Sequence, residues 1–132
     1  MNSAPATNNQ PARDMTAMRD AVANGSVTAE SICATMMAGA RTHNPQLNAY
    51  HEVFEEQAME AARKVDADAR AGRPLPPLAG MPIAVKDNLA TVLGRTTCSS
   101  RMLENYRSPF DAACVERLLH AGAIVTGKTP KA

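Results

Sequence analysis

Three features of the sequence predict an α/β fold, with helices leading into a strand–helix–strand unit. Between Asp14 and Gly72, apolar residues recur at three- and four-residue spacing, the period of an amphipathic helix. Pro82-Ile83-Ala84-Val85 and Ala123-Ile124-Val125-Thr126 are short apolar runs without polar alternation, the pattern of strands covered on both faces of a parallel sheet. Between these two runs lie a loop-rich stretch and one more helical segment, long enough for a parallel crossover.

Taken in order, residues 1–12 contain one apolar side chain larger than alanine, Met1, and cannot offset their ordering entropy, so a disordered tail is expected. The remainder, 13–132, reads as the amino-terminal part of a larger domain. Met15, Met18 and Val22 form the stripe of a first helix that Asn24-Gly25 closes. Ser26 or Thr28 caps a second helix, with Ile32, Met36 and Ala40 inward and a stop at His43-Asn44-Pro45. Residues 47–53 suit a brief extended piece. A third helix carries Phe54, Ala58, Ala61, Val65 and Ala69 on one face, with Glu56, Glu60, Arg63, Lys64 and Asp68 facing solvent and Gly72 at its end. Pro74-Leu75-Pro76-Pro77 is a stiff connector. After the first strand, residues 87–110 are loop-like; Asp111 then caps a helix with Val115, Leu118 and Leu119 inward, and Gly122 ends it before the second strand. Two buried strands preceded by three helices do not make a finished α/β fold, so the unit is read as an incomplete part of a larger sheet.

Composition narrows the function. Alanine accounts for 25 of the 132 residues and tryptophan is absent, so the core is thin in large side chains. Fourteen basic and thirteen acidic residues leave a net charge of +1 with no basic cluster, which argues against a dedicated nucleic-acid-binding arm. No apolar run is long enough for a membrane span, the first dozen residues lack the pattern of a secretory signal, and the three cysteines have no evident partners. A cytoplasmic protein without membrane attachment is expected.

Gly122 to Thr129 satisfies the phosphate-loop pattern GxxxxGK[ST]. That loop requires a strand before its first glycine and a helix after its Lys-Thr. Here a helix precedes Gly122, and Pro130 follows Thr129 directly, so a nucleotide-binding module is the weaker reading. The three cysteines and three histidines show no metal-ligand spacing, and no metal or cofactor is assigned to the chain. Each cysteine reads as a small buried hydrophobe; Cys98, in the loop Thr-Thr-Cys-Ser-Ser, lacks a partner base. Lys86 directly follows the first strand and would stand at the carboxyl end of a parallel strand, where ligands and catalytic groups gather in open α/β sheets. From position alone, it is either a partly desolvated base active at neutral pH or an ordinary lysine reaching for water. Asp87-Asn88 beside it suits a turn.

The segment GMPIAVKDN, followed by TTCSSRMLENYRSPFDAACVERLLHAGAIVTGKT, resembles the amidase signature family, and within it the A subunits of tRNA-dependent amidotransferases. VTAES, NPQLNAY and the alanine-rich third helix extend the resemblance to roughly residues 14–129. It implies the amino-terminal portion of the amidase signature fold, with a larger mixed sheet, and a Ser-cisSer-Lys triad in which Lys86 matches the catalytic lysine. Both serines of that triad belong downstream of Gly127-Lys128-Thr129, and Ser99 and Ser100 do not match them. The 132 residues are therefore read as truncated before the catalytic serines, inactive alone and at best loosely folded. The resemblance implies glutamine as substrate, with its ammonia used to convert Glu-tRNA(Gln) to Gln-tRNA(Gln). It also implies B and C subunits as partners, with ATP and magnesium bound by the partner subunit that contacts the tRNA. A fragment of a stand-alone amidase acting on another small amide is the alternative.

Overall fold

The computed structural model describes residues 14–130; the tail expected over residues 1–12 lies outside them. Three helices come first. In α1 (Met15–Ala23), Asp14 accepts the Thr16 amide as N-cap and Val22 is the buried residue. Thr28, not Ser26, caps α2 (Ala29–Leu47) by accepting the Ser31 amide. The expected stop at Pro45 does not occur, because proline's fixed φ fits a helix and costs a single hydrogen bond one turn from its end. Asn48, in the left-handed conformation, closes the helix instead. Asn44 then pins the reversed chain, accepting the Tyr50 amide and donating to the Tyr50 carbonyl. The buried stripe of α2 is Ala29, Ile32, Cys33 and Met37, whereas Met36, expected inward, is 45% exposed.

Next come β1 (Glu52–Val53) and α3 (Glu55–Arg70), whose buried residues are Ala58, Ala62 and Asp66. Asp66 is the unexpected member. Its two carboxylate oxygens accept the amides of Ala29 and Glu30 at 2.7 and 3.0 Å, so α3 satisfies the first turn of α2 across the core.

Strand β2 (Pro82–Lys86), helix α4 (Ala113–His120) and strand β3 (Ile124–Thr129) form the expected parallel unit, with Pro82 opposite Ile124 and Lys86 opposite Thr129. Strand order is β1-β3-β2, and β1 pairs antiparallel with β3, making the sheet mixed. Central β3 is paired on both edges and almost wholly buried, whereas β2 leaves Ala84 and Lys86 exposed, as an incomplete part of a larger sheet does. Asp111 does not cap α4. Ala112 holds that position, while Asp111 accepts the Val92 amide and ties the preceding loop. Leu119, expected inward, is also exposed.

Alternation along β3 places the core on both sides of the sheet. Ile124 packs with Val22, Ala29, Ile32, Cys33, Met37, Ala58 and Ala62 of the three leading helices. Its neighbour Val125 packs with Phe54, Val85 and Val115, the last from α4. Gly122, at φ +92°, terminates α4 where a side chain would collide with Pro76 and the Ala79 backbone. The proline connector is thereby seated against the start of β3.

Candidate active site

The site is built where β2 ends. The Lys86 carbonyl accepts the Leu89 amide at 2.9 Å, and the Asp87 amide donates to the Thr129 carbonyl at 2.8 Å. The chain is thus held on both sides of the lysine as it leaves the sheet. Exposure alternates here: Ala84 and Lys86 are exposed, Val85 and Asp87 buried. The Lys86 side chain therefore stands on the face opposite the α4 core, reaching outward from the carboxyl end of a parallel strand. An exposed lysine at a strand end is compatible with either positional reading.

On the other face lies a buried polar cluster that the sequence does not announce. Lys128, 0% exposed, donates from Nζ to the Leu89 carbonyl and Thr91 Oγ1 at 2.9 Å each, and to Thr96 Oγ1 at 3.4 Å. Asp87 Oδ1 lies 3.8 Å from the same nitrogen, and His51 Nε2 lies 3.9 Å from Oδ2. Asp87 in turn accepts the Thr97 amide at 3.1 Å and the Thr97 hydroxyl. Burial pushes the Lys128 ammonium below its ordinary pKa, while the nearby charges of Asp87 and Glu52 oppose the shift. Asp87-Asn88 does form a turn, yet the aspartate is also half of a buried ion pair. One signal was present in the chain: carrying the second strand two residues past Gly127 places Lys128 among buried positions, where a lysine requires partners.

The remaining motifs resolve as follows. Gly122 to Thr129 is helix end and strand, with Ile124 to Thr129 committed to the sheet, so the phosphate-loop pattern forms no phosphate loop. Gly127 is required because a side chain there would overlap the Glu52 carbonyl and the Tyr50 ring. Cys33 is buried as expected, Cys98 is half-buried and Cys114 is exposed. No group of three or more His, Cys, Asp or Glu suited to a metal occurs among the described residues. Cys98 and Ser99 both have positive φ, at 50° and 58°, a conformation non-glycine residues adopt at a cost. They follow Thr97 directly, and the Cys98 amide bonds to the Asp87 carbonyl, so this strained turn is held against the strand end carrying Lys86.

The family model described as Amidase matches residues 31–131. The chain belongs to the amidase family. It is 53% identical over 106 residues to the A subunit of the glutamyl-tRNA(Gln) amidotransferase of Rhodopirellula baltica, covering 80% of this chain and 21% of that protein. The corresponding subunit from a Synechococcus strain is 43% identical over 119 residues, covering 89% of this chain and 24% of the relative. Among solved structures, the native peptide amidase of Stenotrophomonas maltophilia superimposes with a TM-score of 0.82 at 30% identity, over 89% of this chain and 24% of that one. The chain thus spans about a quarter of the length of the amidases it matches. Its helices and three-stranded mixed sheet are a portion of the amidase signature fold. No helix among the described residues is long and apolar enough to cross a membrane.

Proposed function

We propose that this segment supplies the general base of a glutamine-hydrolysing amidase of the amidotransferase A-subunit kind, with Lys86 as that base. The reading is supported above all by the 53% identity to the Rhodopirellula baltica protein. The position of Lys86 as the last residue of a parallel strand supports the role. In this reading the remainder of the amidase brings two serines to Lys86. Lys86 takes a proton through the bridging serine, and the second serine attacks the glutamine amide carbon. The proton returns to the leaving nitrogen as ammonia departs, and water then releases glutamate from the acyl-enzyme.

The ammonia passes to a B subunit, which with ATP and magnesium amidates Glu-tRNA(Gln) and carries the tRNA contact; a C subunit completes a cytoplasmic assembly.

The test is ammonia release from glutamine by the full-length protein carrying this segment. Lys86→Ala lowers turnover at least about a thousandfold if the lysine is the base. Retention within twofold would remove Lys86 from the chemistry. Hydrolysis of another small amide with none of glutamine would favour a stand-alone amidase.

A further inference from the structure

The base reading leaves one buried charged group without a task. Lys128 touches no surface, stands on the opposite side of the sheet from the Lys86 side chain, and cannot itself reach a substrate bound there. Its ammonium nevertheless gathers three points of one loop: the Leu89 carbonyl, the Thr91 hydroxyl and the Thr96 hydroxyl. That loop starts at Asp87, the residue after Lys86. Asp87 draws in the loop's far end through the Thr97 amide and the Cys98 amide. Lys128 also lies opposite Val85 in the strand register, so a single side chain on β3 is fixed beside the last residues of β2 and to the loop leaving it.

Two observations mark this as more than a satisfied polar residue. A lysine is rarely buried completely, and well-packed apolar residues in place of both Lys128 and Asp87 would normally serve stability as well or better. The loop it gathers also contains the consecutive left-handed residues Cys98 and Ser99, which persist only where the surroundings over-determine them.

We propose that Lys128 is a positioning residue for catalysis: through Asp87 and the 89–96 loop it fixes the end of β2 so that Lys86 is presented at the right place and angle. This rests on Lys86 being the base. Misplacing a catalytic group by about 1 Å costs on the order of a hundredfold in rate without requiring any loss of substrate binding.

The experiment is glutamine hydrolysis by the full-length protein carrying this segment, with turnover expressed per folded molecule from near-ultraviolet circular dichroism. Lys128→Met keeps the length and apolar stem of the side chain and removes the ammonium. Turnover should fall ten- to a hundredfold with KM for glutamine within twofold of the parent. Thr91→Val removes one acceptor and leaves the Lys128–Asp87 pair in place, so it should fold as the parent does and lose turnover about threefold, again with KM unchanged. Parental turnover per folded molecule in both variants, or a rise in KM that accounts for the loss, would overturn the assignment. Lys86→Ala, run in parallel, separates the two readings. If it is inactive while both variants are as active as the parent, only the positioning role fails. If it remains active, the base reading fails and takes the positioning role with it.

Discussion

Lys86 and Lys128 sit one residue apart in the register of neighbouring parallel strands, Val85 being opposite Lys128 and Lys86 opposite Thr129. The first is exposed, whereas the second is sealed in the interior with three oxygen acceptors and an aspartate nearby. Nothing in residue type separates them. The pleat does: a shift of one residue moves a side chain from one face of a sheet to the other. One face of the β2–β3 pair is open at its carboxyl end, and the other is roofed by the 87–98 loop. The same side chain is therefore open to its surroundings on one side and spent on holding the loop on the other.

The widest separation should appear when each lysine is removed in turn from the full-length protein. Lys86→Ala should abolish amide hydrolysis while costing far less stability than the loss of Lys128 does. Lys128→Ala should do the reverse to stability. It leaves Asp87 buried without its ion-pair partner and empties a filled space, so a loss of about 3–5 kcal/mol is expected. Thermal unfolding of both variants beside the parent checks the contrast, and similar midpoints for the two would break it.

How far the sequence could be read depends on the kind of order involved. The helices of the first half, the two parallel strands and the strand-end position of Lys86 follow from periodicity and from short apolar runs, which are local properties. What local patterning did not disclose depends on long-range pairing, and the mixed sheet is implied only by the family resemblance. The mixed sheet needs β1, a two-residue strand that exists only because Gly127 lets Glu52 and Tyr50 approach β3. Met37 takes the buried place expected of Met36 because the inward face of α2 is set by its packing on α3, a constraint no single-helix pattern contains. Asp66 falls in the same class: on a helical wheel it borders the polar stripe, and only the arrival of the α2 amino-terminus makes burying it favourable.

Asp66 offers the next prediction. Asp66→Ala leaves the amides of Ala29 and Glu30 without acceptors inside the helical core, at a cost of about 2–3 kcal/mol. Lys86 and the strand-end loop are remote from this contact, so turnover per folded molecule should be unchanged. A lower thermal midpoint with parental turnover would mark the helical layer as scaffold and the strand end as site. Loss of turnover per folded molecule would show that the two regions are coupled.

The smallest effect lies beside Asp66, at Cys33. Burial first, and the Asp66 carboxylate second, push this thiol from 9.0 up to about 11. A raised pKa means the folded protein holds the proton more tightly than the unfolded chain does. Its contribution to stability is therefore complete below pH 9 and is lost as pH rises from 9 towards 11. Only the opened form of this core exposes the sulfur to a thiol reagent, so labelling reports local opening when divided by the rate for an unstructured peptide thiol. That protection should be flat up to pH 9 and then fall about tenfold per unit until the folded thiol titrates. Exposed Cys114 should show no protection at any pH. In Asp66→Asn one of the two causes of the shift is gone, and the falling region should end at a lower pH. Flat protection across the whole range would mean that Cys33 is not held in its thiol form by this core.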